Sequence, residues 1–143
     1  MKKLAIILTL LLTVLTISSQ TIVVKTNNVA TSFGENYNHD PWGDWTESNL
    51  LIFIDLSKEI ITINNGFDDK FYITNSSEDE ETGKDKDGDT WSSFLFTCVD
   101  KDNKTCYIKT RIWNDYNIFQ MYITYSNFRY VYEGKIIDRN EKE

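Results

Sequence analysis

The chain has 143 residues and a formal net charge of −7; 41% of its residues are hydrophobic and 14% aromatic. This length and composition suit one globular domain with an ample core. A net negative surface repels phosphate groups, which argues against nucleic acid and anionic membranes as partners.

The first residues resemble a secretory signal. Residues 1–3 carry two lysines, and residues 4–17 form an apolar run without charge. A membrane span needs about 20 apolar residues, so this run suits a cleavable signal better than an anchor. We predict that residues 1–19 are a signal peptide and that 20–143 form a single secreted β domain. The expected location is secreted or periplasmic in a bacterial envelope, with no stable membrane anchor after cleavage.

Eight runs rich in β-branched and aromatic residues follow, separated by polar turns, and no run has helical periodicity. The predicted strands span residues 21–24, 50–55, 59–64, 71–75, 91–99, 105–113, 118–125 and 128–137. Alternation places Phe119, Met121 and Ile123 on one face. Residues 31–48 and 76–90 are predicted to be irregular, the second as an acidic loop.

Short connections favour pairing of neighbouring strands in chain order. The sequence therefore predicts an all-β fold, an antiparallel up-and-down meander of about eight strands. Closure into a small barrel would remove the exposed edges. A two-sheet β-sandwich uses the same alternation and is the alternative.

Two cysteines flank the turn that would be centred on Asp102. In such a hairpin Cys98 and Cys106 are directly opposite, and a non-hydrogen-bonded pair would suit a bridge. Because a secreted protein meets an oxidising compartment, we predict a structural disulfide.

The segment 78–89 contains seven acidic residues. Asp85, Asp87 and Asp89 are weak candidates for calcium ligands, because extracellular calcium sites can be weak. The spacing does not fit an EF-hand, since Phe96 or Phe94 would stand at the twelfth position. A solvated loop is favoured, and calcium is the one cofactor we consider.

The only histidine, His39, lies near Asp40, Asp44 and Glu47. One histidine cannot build a histidine-rich zinc site, and no nucleophile, phosphate-loop or zinc-helix motif is present. We assign no catalytic residue and favour a non-enzymatic protein. A hydrolase-type enzyme using paired carboxylates or His39 is the alternative.

Several aromatic residues fall outside or at the ends of the predicted strands. Such side chains can serve as ligand platforms, because they offer a flat apolar face and a polar tip. The candidates are Trp42, Trp45, Trp113 and Tyr116. The alternative, favoured for Trp45, is a segment that folds over the open end of the barrel.

The Gly43-Asp44-Trp45 triplet resembles the G-x-W motif of lipocalin and calycin barrels. That resemblance implies that Trp45 closes one barrel end and that Arg129 or Arg139 packs over it. The second lipocalin motif is absent, since Thr124-Tyr125-Ser126 lacks its aspartate. In composition the chain also resembles small secreted proteins of Bacteroidetes.

We therefore expect a secreted, acidic binding protein without enzymatic activity. It would hold a small hydrophobic or amphipathic molecule in the barrel, or a protein partner at its loop end. The alternative is an envelope or extracellular structural protein whose acidic loop binds calcium weakly.

Overall fold

The computed structural model describes residues 21–33, 42–66, 68–77, 81–113 and 117–138. Within these ranges every regular element is a strand, and no helix is long and apolar enough to cross a membrane. The predicted signal peptide lies outside them. The strands are β1 (Thr21–Phe33), β2 (Thr46–Glu47), β3 (Leu51–Asp55), β4 (Ile60–Asn64), β5 (Asp69–Ser76), β6 (Glu81–Lys84), β7 (Thr90–Asp100), β8 (Thr105–Trp113), β9 (Ile118–Thr124) and β10 (Phe128–Asp138).

Eight of these strands close into an antiparallel barrel. The order runs β1-β3-β4-β5-β7-β8-β9-β10, and β10 pairs back with β1. The small lipocalin-like barrel predicted from the alternation is therefore confirmed, and the sandwich is not formed. β2 adds to β1, and β6 adds to β7.

Strand β1 is much longer than the predicted run of residues 21–24. Its first half pairs with β3, and most of its length pairs with β10, which closes the barrel. The extension was missed because its buried positions are small or polar: Thr26, Ala30 and Ser32. Closure also depends on Gly134 of β10, where an added Cβ would overlap the carbonyl oxygen of Lys25.

The barrel interior is filled by its own side chains. Inward positions alternate along each strand, as in β9, where Phe119, Met121 and Ile123 are buried as predicted. The remaining core is largely aliphatic: Val24, Ile52, Ile54, Ile61, Ile63, Phe71, Cys98, Cys106, Ile108 and Ile136. This packing argues against a ligand held inside the described part of the barrel.

The acidic segment is more ordered than predicted. Residues 81–84 form β6, which pairs with the start of β7 and places Gly83 opposite Trp91. A Cβ at Gly83 would overlap the Trp91 ring, so the missing side chain makes room for the indole. The prediction of an irregular loop throughout 76–90 is therefore corrected for these four residues, and also for Ser76, which ends β5, and Thr90, which begins β7.

Candidate functional site

Two neighbouring rows of side chains run around the outer wall from β7 to β1. Residues directly opposite in a ladder share a face, so the strand register defines each row. The first, the tryptophan–lysine row, comprises Trp91, Trp113, Ile118, Lys135 and Lys25. The second, the arginine–glutamate row, comprises Ser93, Arg111, Gln120, Glu133 and Asn28.

An open groove of about 300 Å³ lies where the turn after β6 stands over these two rows. We call it the outer groove, and its lining residues are Asp85, Asp89, Trp113, Ile118, Gln120 and Glu133. Its volume is at the lower end of the range for small-molecule sites, about 300–1,000 Å³. The lining combines an apolar floor with three carboxylates and one amide.

Residues 85–89, between β6 and β7, form what we call the acidic turn. Asp85 fixes this turn onto the barrel wall. Its Oδ1 accepts hydrogen bonds from the backbone N–H groups of Asp87 at 2.9 Å and Asp89 at 3.0 Å. Its Oδ2 accepts one from the indole Nε1 of Trp113 at 3.2 Å. The backbone bond from Asp89, followed by those from Asp87 and Trp113, lowers the pKa of Asp85 below its ordinary value. Asp85 is therefore a carboxylate at neutral pH.

The opposite side of the outer groove is set by a chain of three polar groups. The Gln120 Nε2 donates to Glu133 Oε2 at 2.8 Å, and the Tyr122 hydroxyl donates to Gln120 Oε1 at 2.7 Å. Burial raises the pKa of Tyr122, which keeps its hydroxyl protonated as a donor. Both ends of the Gln120 amide are thus occupied, which orients Glu133 beside the groove.

Arg111 lies among aromatic rings beside the outer groove. Its guanidinium carbon is 4.1 Å from the centre of the Trp91 ring, 5.8 Å from that of Trp113 and 5.9 Å from that of Tyr122. Such contacts stabilise a cation electrostatically. In the described ranges the buried Arg111 Nε and Ser93 Oγ have no hydrogen-bond partner.

The three predicted calcium candidates do come together. One ligand oxygen from each of Asp85, Asp87 and Asp89 lies within 4.8 Å of the other two. Asp85 already accepts three hydrogen bonds, so a bound ion would share its oxygens with those donors. Calcium prefers six to eight oxygen ligands, and water would have to supply several of them.

The two tryptophans of the G-x-W segment have different environments. The Arg129 guanidinium carbon lies 4.0 Å from the centre of the Trp42 ring, and that ring centre is 6.1 Å from that of Tyr122. Trp45 is 48% exposed. The tryptophan under Arg129 is therefore Trp42, on the outer wall, and not Trp45 as the resemblance implied.

Cys98 and Cys106 lie directly opposite each other, as predicted, but they are free thiols. The backbone N–H of Asp100 donates to the carbonyl of Lys104 at 2.9 Å, so these two opposite residues form a hydrogen-bonded pair. Hydrogen-bonded and non-hydrogen-bonded pairs alternate along an antiparallel ladder. Two residues further along each strand, the cysteines form a hydrogen-bonded pair and not the expected non-hydrogen-bonded one. Side chains are farther apart at such pairs, whereas a disulfide needs Cβ atoms about 4 Å apart. The predicted disulfide is therefore absent from this structure.

Burial also protects the thiols. It raises the pKa of Cys98 to about 12 and that of Cys106 to about 11. Both groups are therefore neutral at physiological pH, and the thiolate needed for oxidation or metal binding is disfavoured.

The remaining candidates fall outside the described residues. These are His39, Tyr116 and Arg139. The acidic neighbours Asp44 and Glu47 are described and exposed.

Comparisons with protein-family models, curated proteins and solved structures found no match to this chain. The likeness to secreted Bacteroidetes proteins therefore has no support from relatives, and the lipocalin likeness is one of barrel shape.

Proposed function

We propose that this protein is a secreted, non-enzymatic binding protein whose outer groove takes a small amphipathic amine. One observation carries the proposal. Three carboxylates, those of Asp85, Asp89 and Glu133, surround an apolar floor in a groove of about 300 Å³. The filled barrel core directs the search for a ligand to this outer surface.

The charge of the groove favours a cation over a neutral or anionic ligand. Its lining contains three acidic groups and no lysine or arginine. Arg111, beside the groove, packs on Trp91. Carboxylates only accept hydrogen bonds when ionised, and an ammonium group only donates them. The two are complementary in charge and in hydrogen bonding.

The floor favours an apolar body next to that ammonium group. Trp113 and Ile118 are directly opposite in the β8–β9 ladder and present a continuous apolar surface. An indole also attracts cations, by about 0.5–1 kcal/mol at exposed sites. A ligand with an aromatic or aliphatic body and a terminal amine would use both features.

Calorimetric titration with three probes of one shape tests this proposal. The probes are 2-phenylethylamine, neutral 2-phenylethanol and anionic 3-phenylpropionate. We expect the amine to bind most tightly, because it alone pairs with the carboxylates. Glu133→Gln should weaken amine binding severalfold, since removing one partner of a charged hydrogen bond costs about 1 kcal/mol or more. Asp102→Asn, which removes a charge from the distant β7–β8 turn, is the control. Equal binding of all three probes would contradict the proposal.

Calcium binding is the second candidate, favoured by the convergence of Asp85, Asp87 and Asp89 within 4.8 Å. An ion that binds only the folded state raises the unfolding temperature. An unfolding temperature that rises with millimolar calcium in the unaltered protein, but not in Asp87→Asn, would support an extracellular protein with a calcium-binding turn. A melt indifferent to calcium and to chelator would rule this candidate out.

A further inference from the structure

A pair of lysines lies beside the outer groove, on the side away from the acidic turn. Lys135 is directly opposite Ile118, which lines the groove, and Lys25 is directly opposite Lys135. Directly opposed residues share a face, so both lysine side chains leave the outer wall beside the groove. Both are exposed. The apolar floor therefore ends in two positive charges.

This lysine pair is unfavourable for the protein by itself. Like charges directly opposite in a ladder are destabilising. Within the described ranges the ion pairs are Lys101 with Asp69 and Lys109 with Glu81, so neither Lys25 nor Lys135 has such a partner there. An anionic group bound beside Ile118 would offset the repulsion.

The sign of the charge thus changes along the groove over a defined span. Asp85 contacts the indole of Trp113 on β8, Lys135 lies two strands away on β10, and Lys25 three strands away on β1. At about 4.8 Å per strand, the two charged ends are about 10–14 Å apart.

We propose that the ligand of the outer groove is a zwitterion of about this length. Its ammonium end pairs with Asp85 and Asp89, its body covers Trp113 and Ile118, and its carboxylate meets Lys135 and Lys25. This inference rests on the proposed amine site. At about 3.4 Å per residue, an extended peptide of three or four residues with free ends spans the distance, as does an ω-amino acid.

The test uses 8-aminooctanoate and 8-aminooctanamide, which share the ammonium group and chain length and differ in the terminal charge. We expect the carboxylate form to bind about threefold to tenfold more tightly at low salt, the size of one or two exposed ion pairs. The double variant Lys25→Gln, Lys135→Gln should remove this difference by weakening binding of the carboxylate form. Lys70→Gln, on the distant β5, is the matched control and should preserve the difference.

The outcomes separate this inference from the proposed function. If both probes bind equally in the unaltered protein, the amine site stands and the zwitterion is ruled out. If the difference survives in the double lysine variant, the carboxylate binds elsewhere and the inference fails. If neither probe nor 2-phenylethylamine binds at millimolar concentration, both proposals fail. Tetra-alanine with free ends, compared with its acetylated and amidated forms, distinguishes a peptide from an ω-amino acid as the source.

Discussion

The indole of Trp113 donates a hydrogen bond to the carboxylate of Asp85, 28 residues earlier in the chain. This bond ties the acidic turn between β6 and β7 to the outer wall of the barrel. The same carboxylate accepts the backbone N–H groups of Asp87 and Asp89. The outer groove therefore has a rim whose shape is set before any ligand arrives.

Asp85→Ala should loosen this rim without unfolding the barrel. The variant loses three hydrogen bonds at an exposed turn, so the backbone amides of Asp87 and Asp89 should exchange with solvent faster. Hydrogen exchange followed by NMR measures this directly. Asp87→Ala is the control, because its side chain takes no part in these three bonds. Equal protection in Asp85→Ala and the unaltered protein would contradict the described role of Asp85.

Gly134→Ala should destabilise the protein strongly. The added Cβ would overlap backbone atoms of Lys25 and Thr26, which are not free to move aside as a flexible side chain would be. We expect a loss of about 2–3 kcal/mol in the free energy of unfolding, measured with urea. Gly66→Ala is the comparison, since open space surrounds that position although its φ is +97°. It should cost about 1–2 kcal/mol from the left-handed backbone alone. If Gly134→Ala were the milder variant, the close approach of β1 and β10 would be wrong.

Trp42 and Trp45 should differ in their effect on stability. Trp42 packs under Arg129 and beside Tyr122, whereas Trp45 is 48% exposed. Trp42→Ala should cost about 2 kcal/mol, from lost apolar burial and a lost cation–π contact. Trp45→Ala should stay within about 0.5 kcal/mol of the unaltered protein. Urea unfolding of the two variants measures both losses in the free energy of unfolding. A larger loss in Trp45→Ala than in Trp42→Ala would contradict this description of the two tryptophans.

Stability should fall at alkaline pH because of the two buried thiols. In the folded state the pKa of Cys98 is raised to about 12 and that of Cys106 to about 11, from an ordinary value of 9.0. An acid whose pKa is raised by folding contributes stability below its unfolded pKa, and this is lost as pH rises towards the folded values. The free energy of unfolding should therefore decline above about pH 9.

The double variant Cys98→Ala, Cys106→Ala should show a shallower decline over the same pH range. Buried tyrosines such as Tyr130, whose pKa is also raised by burial, remain and keep part of the slope. A thiol reagent at pH 8 should label both cysteines only after unfolding. Rapid labelling of the native protein, or an unchanged pH slope in the double variant, would contradict the buried-thiol description.

The sequence predicts the barrel well because its strands are strongly patterned. In β9, buried and half-buried residues alternate without a break, so Phe119 and Met121 identify the inner face. Strand β6 was missed because Glu81–Lys84 contains no apolar residue, and its pairing depends on Gly83 fitting against Trp91. Such a strand is defined by its neighbour and not by its own pattern.

The candidate site could be predicted only in part. The sequence indicates Trp113 and Asp85 as two separate candidates. It does not predict the contact between them, because they are 28 positions apart in the chain. Gln120 and Glu133 lie in strands, and nothing in the sequence around either residue indicates a site. They become part of a site only because the registers of β8, β9 and β10 align them beside Trp113. The one feature that could have indicated them from the sequence is the register of the β8–β9 hairpin, because that register places Gln120 opposite Arg111.

The most direct test of the central claim is an NMR titration of the isotope-labelled protein with 2-phenylethylamine. We expect the amine to shift the indole N–H signal of Trp113 and the side-chain amide of Gln120, and to leave the indole of Trp45 unchanged. Shifts confined to methyl groups of the barrel core, or to Trp45, would place the binding surface elsewhere and contradict the outer groove as the ligand site.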